Sequence, residues 1–262
     1  MIIDGHQHVL HDPETQLSLA AEAELDKVVL FPTIVHPERA KTREEFINEM
    51  GTLNKILSGQ INPVEARIKS ITELVERIQM NPKIYLGFGS CPYGLNIEQT
   101  GEWIEQRIIK NNLQGIGEIV LGSGHVSAIE NIFLYLHEQQ HLLPLWIHTF
   151  NPLGIADIQQ IIDLAIKYSR VNVILGHSGG SHWMETLEMV KSEQNIYMDI
   201  SASFSVLPIQ FISAAIPERC VFSSDTPYGN PYLGRQQIEY IIKDVHIRNN
   251  VLGLNTARLL NI

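Results

Sequence analysis

Two histidines, His6 and His8, stand one residue apart in MIIDGHQHVL, directly after a short β-favouring run. On an extended strand such residues share a face, with Cα atoms about 6.5 Å apart. Two imidazoles at that separation can converge on one cation, each nitrogen about 2.0–2.1 Å from it. Four more titratable side chains close apolar runs further along: Glu118 in GIGEIVLG, His148 in LWIHT, His177 in VILGHSGG and Asp225 in VFSSDTPYG. His148 and Asp225 are candidates to complete a shell begun by His6 and His8. Imidazoles and carboxylates without a thiolate suit Zn²⁺, Mn²⁺, Fe²⁺ or Ni²⁺, and not copper(I) or a cysteine-built structural zinc. Each residue also has a plainer reading. An isolated H-x-H is common, His148 reads as a hydrogen-bonded core residue, Glu118 as a strand-end ion pair, and Asp225 before Thr226-Pro227 as a turn or cap. Their coincidence is what points to a metal. Burying several such groups unpaired costs roughly several kcal/mol each, and one shared ion answers all of them.

These side chains need a scaffold that delivers them to one place. Eight apolar runs, rich in β-branched or aromatic residues and bounded by Gly, Pro, Asn or Ser, are predicted strands: residues 2–4, 27–31, 84–89, 115–120, 143–148, 171–176, 196–200 and 220–224. Helical stripes lie between them, at Ile68, Ile71, Leu74, Val75 and Ile78, at Ile129, Ile132, Phe133 and Leu136, and at Ile158, Ile161, Ile162, Ala165 and Ile166. Strands alternating with helices imply parallel crossovers. Eight such units predict a single (β/α)8 barrel domain over residues 1–262, with function at the C-terminal strand ends. A doubly wound sheet is the alternative, but the first strand runs into GHQHVLHD and not into a glycine-rich phosphate loop. Residues 33–66 exceed one crossover helix and are read as a helix plus an extra loop, SGQINPVEA, on the active-site side. Strand seven adds Asp199, and Asp4, on the strand of His6, is a candidate to orient a ligand.

Composition narrows the function. Of 262 residues 44% are hydrophobic and 18% charged, which is globular, and the formal net charge is −10. Lysines and arginines are scattered, so nucleic acid and anionic membrane surfaces are not expected partners. Cys91 and Cys220 form no metal or redox spacing, and the N-terminus shows no signal-peptide pattern, so the expected location is the cytoplasm. A small-molecule substrate is the expected partner, and a homodimer is left open.

The segments IIDGHQHV, LWIHT, VILGHSGG, FSSDTPYG and the closing VLGLNTARLLNI, in this order, resemble the amidohydrolase superfamily of metal-dependent (β/α)8 hydrolases. The likeness is greatest to the branch that contains aminocarboxymuconate-semialdehyde decarboxylase. The resemblance implies His6, His8, His148 and Asp225 as metal ligands, with Asp225 also handling the proton of the attacking water. It makes His177 a polarising catalytic residue where one metal is bound and a ligand where two are bound. Glu118 departs from the decarboxylase-like pattern and matches relatives that bridge two metals from strand four, so one or two ions, most simply zinc, are implied. Members of the polymerase-and-histidinol-phosphatase group share the H-x-H but close with a late D-x-H, which SSDTPYG lacks.

The expected chemistry is hydrolysis of a C–N or C–O bond in an amide, cyclic amide or lactone, because a bound ion lowers the pKa of water from about 15.7 to roughly 7. A non-oxidative decarboxylase of an unsaturated or aromatic acid is the alternative. It needs a cationic clamp, and few arginines stand near strand ends. Phe31, Phe150, Trp183, Phe204 and Tyr228 follow strands and are candidate substrate-binding walls, each equally readable as core packing. Arg39 reads as a solvated helix-start residue or a contact for a substrate carboxylate. His125, His137, His141, His182 and His246 receive no role.

Overall fold

The computed structural model describes residues 1–57, 62–139 and 143–262. Its strands are β1 (Ile3–His8), β2 (Lys27–Phe31), β3 (Tyr85–Gly89), β4 (Gly115–Ile119), β5 (Leu145–His148), β6 (Val173–Gly176), β7 (Ile196–Asp199) and β8 (Cys220–Val221). The helices are α1 (Pro13–Glu22), α2 (Arg43–Leu57), α3 (Pro63–Met80), α4 (Ile97–Trp103), α5 (Glu130–Glu138), α6 (Ile155–Lys167), α7 (Trp183–Val190), α8 (Val206–Ala215), α9 (Pro231–Ile241), α10 (Val245–Asn249) and α11 (Asn255–Leu260). The strands pair in sequence order, all parallel. The sheet closes where Gly5 N donates to Phe222 O (2.9 Å), Asp225 N to His6 O (2.9 Å) and His8 N to Thr226 O (2.8 Å). This is the predicted (β/α)8 barrel. The predicted strand 220–224 is regular only over Cys220–Val221, because the residues after it bond to β1 at the seam.

Two apolar layers follow from the pleat. Val28, Leu30, Ile116, Leu145, Ile147, Val173, Leu175, Ile196 and Met198 face the helices. Ile3, Val29, Phe31, Phe88, Trp146, Ile174 and Val221 fill the barrel, and Leu259 and Leu260 of α11 complete that inner cluster. Strict alternation would turn His6 away from the side that Ile3 faces. A register shift between Asp4 and Gln7 inserts one extra residue into β1, so Ile3, His6 and His8 all face the interior. A second shift lies between Ile116 and Ile119 of β4. Those two isoleucines both pack outward, and Glu118 between them reaches the interior.

Trp146 is the floor. Its ring is fully buried, with its centroid 4.1 Å from that of His6 and 5.2 Å from that of His177. Glycines make room for it: a Cβ on Gly176 would run into the indole, and one on Gly117 would stand 2.8 Å from Trp146 Cβ. Phe31 is fully buried beside it, with its ring 4.2 Å from His6. The expectation that Phe31 walls the substrate pocket is therefore corrected: it supports His6 from below.

The segment after β2 is also corrected. Asn62 caps α3, accepting from Val64 N and Glu65 N, and Pro63 takes the first helical position. Residues 63–66 of the predicted loop thus begin a helix, and residues 58–61 lie outside the described part, as does His141. His36 ties this excursion to the barrel. Its ring lies 3.3 Å from Glu38 and 3.7 Å from Glu73 of α3, and its backbone N donates to Glu49 of α2 (2.7 Å).

Gly176→Ala is expected to lower stability by about 1–3 kcal/mol in urea unfolding, because the indole cannot retreat. A second expectation concerns pH. Glu38 and Glu73 raise His36 from 6.5 to about 9, so the folded state holds its proton more tightly than the unfolded chain. The stability of wild type over His36→Gln is then full below pH 6.5 and is lost as pH rises through about 9, read from urea midpoints across that range.

Candidate metal centre

Six side chains meet at the C-terminal rim of the barrel. His6 and His8 come from β1, Glu118 from β4 and His148 from the end of β5. His177 directly follows β6, and Asp225 lies in the turn after β8. His6 Nε2 lies 4.0 Å from Glu118 Oε2 and 3.9 Å from Asp225 Oδ1. His8 Nε2 lies 3.6 Å and 3.4 Å from the same two atoms. On the other side, Glu118 Oε1 lies 2.8 Å from His148 Nδ1 and 3.8 Å from His177 Nε2. Two atoms that each stand about 2.1 Å from one ion are about 3.0–4.2 Å apart as its angle opens from square to straight. Most of these separations fall in that range. The cluster divides into two groups able to hold a cation: His6, His8 and Glu118, with Asp225 beside them, and Glu118, His148 and His177.

The electrostatics favour a cation. His6 is fully buried and both its ring nitrogens lack a hydrogen-bond partner. Burial, and then His8 beside it, push its pKa down to about 4, so the ring is neutral and its lone pair is available. Burial alone would raise Glu118, but bonds to His148 and His177, with the imidazoles of His6 and His8 beside it, hold it well below the ordinary carboxylate range. Asp225 is likewise lowered against burial, by His8 first and then His6. Burial works against protonation of His8 and His177, and the carboxylates facing them outweigh it and raise both. Two buried carboxylates stay ionised in the midst of four imidazoles.

Supporting bonds orient the ligating atoms. Ser201 Oγ donates to Asp199 Oδ1 in a short bond, so it accepts from His177 Nδ1–H at 2.8 Å. That fixes the tautomer and leaves the Nε2 lone pair facing Glu118. Asp199 also accepts from Trp146 Nε1 (3.3 Å), joining the floor to the rim. His148 Nε2 faces Asn151 O at 3.2 Å, leaving Nδ1 toward Glu118. Asp4 accepts from Gln7 Nε2 (2.8 Å), Ser224 N (2.9 Å) and His6 N (3.2 Å), and burial raises its pKa to about 6. It holds the backbone of β1 and of the Asp225 turn. Of the two readings of Asp4, a ligand orienter or a strand-start hydrogen bond, its bonds match the second, and the His6 ring nitrogens have no partner.

His177 and Asp225 both have positive φ, 61° and 57°. Such backbone costs on the order of 1–3 kcal/mol per residue and clusters at functional sites. Asp225 O accepts from Tyr228 N (2.8 Å) and Gly229 N (3.1 Å), which holds the turn.

Of the other predicted residues, Phe150 stands 6.5 Å from His177 and 5.4 Å from Phe204, ring to ring, and Phe204 is 79% exposed. Trp183 lines a pocket beside His177 and stacks on Phe211. Tyr228 meets His8 edge-on at 5.9 Å, and its phenol is raised to about 12, by burial first and then by Asp225. Arg39 lines a separate surface groove with Glu45 and Glu49. Sequence reasoning missed Ser201. Its signal was present in YMDIS, where a serine follows the strand-end Asp199 by two residues.

Residues 140–262, which contain His148, His177 and Asp225, match the family model described as amidohydrolase. No curated protein matches the sequence. Among solved structures, 2,6-dihydroxybenzoate decarboxylase from Rhizobium is similar with a TM-score of 0.71 at 13% identity, over 99% of this chain and 98% of that one. A dihydroxybenzoic acid decarboxylase from Polaromonas sp. JS666 with bound manganese gives 0.72 at 14% identity, over 99% and 96%. 4-Oxalomesaconate hydratase from Rhodopseudomonas palustris gives 0.67 at 15% identity, over 100% and 96%. The structural likeness is one of fold. With the family match, it bears out the amidohydrolase resemblance drawn from the motifs. No helix among the described residues is long and apolar enough to cross a membrane.

Removing the acceptor of His177 Nδ1–H should loosen that ligand without removing it. Ser201→Ala is expected to weaken cation binding about 10–100-fold by calorimetry while the fold is retained by circular dichroism.

Proposed function

We propose that this amidohydrolase-type enzyme, with residues 1–262 acting as one barrel, hydrolyses a C–N or C–O bond in a small amide, cyclic amide or lactone using two divalent cations. One observation carries the reading: the two oxygens of Glu118 face opposite ways, Oε2 toward His6 and His8 and Oε1 toward His148 and His177. A carboxylate so placed is suited to join two cations. His6, His8 and Asp225 would hold one and His148 and His177 the other. Zinc is the proposed ion, and manganese, which the Polaromonas decarboxylase carries, is the competing one.

Bound divalent cations supply Lewis acidity to a water and to the substrate's carbonyl oxygen. The chain's own groups do the rest. Asp225 is kept ionised by the imidazoles around it, so at neutral pH it can take a proton from the attacking water. It returns that proton to the leaving oxygen or nitrogen, which departs neutral. His177 is held by Ser201 and keeps one tautomer throughout. Trp146 and Phe31 close the barrel beneath the reacting atoms and exclude water from that side.

The second reading, a non-oxidative decarboxylase, draws support from the fold likeness to two decarboxylases. Against it stands the chemistry of the mouth. Among the described residues, no lysine or arginine lines the pocket beside His177 or the pocket beside Ser224 to clamp an acid.

Metal analysis of the purified chain is expected to give two ions per chain, falling to one in His177→Ala. Chelation should abolish turnover of a lactone or cyclic-amide panel, with Zn²⁺ or Mn²⁺ restoring it. Asp225→Asn should keep at least one ion and lose about 10²–10⁴-fold in kcat. Release of CO2 from unsaturated or aromatic acids, with no hydrolysis of the panel, would transfer the assignment to the lyase reading.

A further inference from the structure

We propose that the substrate is an uncharged aroyl ester or amide with a hydrophilic leaving group, the aryl ring beside His177 and the leaving group beside Asp225. This rests on the hydrolase reading above and names the substrate class of that site.

Two pockets flank the cluster and share Ala202 and Ser203 as their partition. The first adjoins His177 and is lined by Trp183, Phe204, Pro208 and the hydroxyls of Ser181 and Ser205. Its volume is ≈ 100 Å³. A closed apolar cavity of about 150 Å³ holds a benzene, so this smaller, open one takes part of a single planar ring, with the rest of the ring in the mouth against Phe204. Phe150 stands at its edge, in ring contact with both Phe204 and His177, and is fixed there because Gly180 leaves no Cβ in its way. Phe204 is left 79% exposed, and a seated ring would cover it.

The second pocket adjoins the Asp225 turn. Ser201, Ser224, Asn230 and Gln237 give it a hydroxyl and amide lining, with Tyr228 at its edge. Among the described residues, no Asp, Glu, Lys or Arg lines either pocket.

Charge selects against an acid. The net charge of −10 opposes an approaching anion. A carboxylate seated against Trp183 and Phe204 would be desolvated with no cation to meet it. Arg39 lines a separate groove with Glu45 and Glu49, Lys69 lines a cleft with Glu65 and Glu73, and neither lines these two pockets.

The reaction then has a direction. Water adds to the carbonyl carbon, the acyl C–O or C–N bond breaks, and Asp225 moves the water's proton to the departing atom. The leaving alcohol or amine is released into the hydroxyl and amide lining beside Asp225. The arylcarboxylic acid is anionic at neutral pH, and the uncharged walls that accepted its ester do not retain it.

The test uses the metal-loaded full chain and three esters of glycerol: benzoate, 4-carboxybenzoate and acetate. The expected kcat/KM for the benzoate exceeds each of the others at least tenfold. Phe204→Ala should erase most of the advantage over acetate, and Ser203→Arg should recover the 4-carboxybenzoate. Equal or faster turnover of the 4-carboxybenzoate, or of the acetate, overturns the proposal and leaves the hydrolase reading standing. Should neither these esters nor the lactone and cyclic-amide panel be turned over, that reading fails, and calorimetric binding of benzamide against 4-carbamoylbenzoate decides this one separately. Benzamide binding at least tenfold tighter, and weakened by Phe204→Ala, supports it, whereas equal or tighter binding of the charged analogue rejects it.

Discussion

A buried imidazole that accepts neither a proton nor a hydrogen bond is the constraint on which the site turns. His6 has no exposed surface, both its ring nitrogens are unpartnered, and its environment drives its pKa to about 4. Such a lone pair is expensive to bury unless something electron-deficient meets it. The proton is excluded by the same burial. A cation is not, because Glu118 and Asp225 supply compensating charge about 4 Å away. The carboxylates in turn are tolerable only with positive charge between them. His6, Glu118 and Asp225 are thus a set in which each member makes the others affordable, and divalent charge closes it.

Two backbone irregularities make that set possible. A regular β1 could send Ile3 into the core or His6 into the rim, but not both, because the side-chain period is two. The bulge between Asp4 and Gln7 resolves the conflict, and the shift between Ile116 and Ile119 does the same for Glu118. Asp4 then bonds both β1 and Ser224, so the strand carrying two ligands and the turn carrying Asp225 are tied at the barrel seam. The floor depends on absence as much as on presence. Trp146 fits beneath His6 because positions 117 and 176 carry no side chain.

Much of this was legible in the sequence. The eight apolar runs and the helical stripes gave the barrel, since period and spacing are local properties. The residues of the cluster were legible because each closes an apolar run with a titratable group, a pattern that burial penalises unless it is used. What stayed hidden is set by non-local geometry. No local signal says that β1 is bulged, that Phe31 lies under His6 and not beside a substrate, or that Asp4 bonds backbone and not a ring. Ser201 looked like an ordinary loop serine until the fold set it between Asp199 and His177. Asn62-Pro63 was a readable helix start, overlooked because SGQINPVEA is rich in loop-forming types.

The positions of His177 and Asp225 show how the barrel divides its labour. Strands hold His6, His8, Glu118 and His148, where a ladder fixes each Cα. His177 and Asp225 instead sit just past strand ends with left-handed backbone, a conformation that a relaxed turn would give to glycine. Each is held there by bonds that have no other evident use: Ser178 Oγ to Asp199 O at 2.5 Å and Gly179 N to Thr149 at 2.8 Å on one side, Tyr228 N and Gly229 N on Asp225 O on the other. The strain swings two side chains back over the mouth, toward atoms the strands cannot reach. A scaffold that needed only to bind an ion could have used four strand positions. Maintaining two strained ones, with His177 lining the pocket beside it, is what sites for chemistry on a bound molecule commonly do.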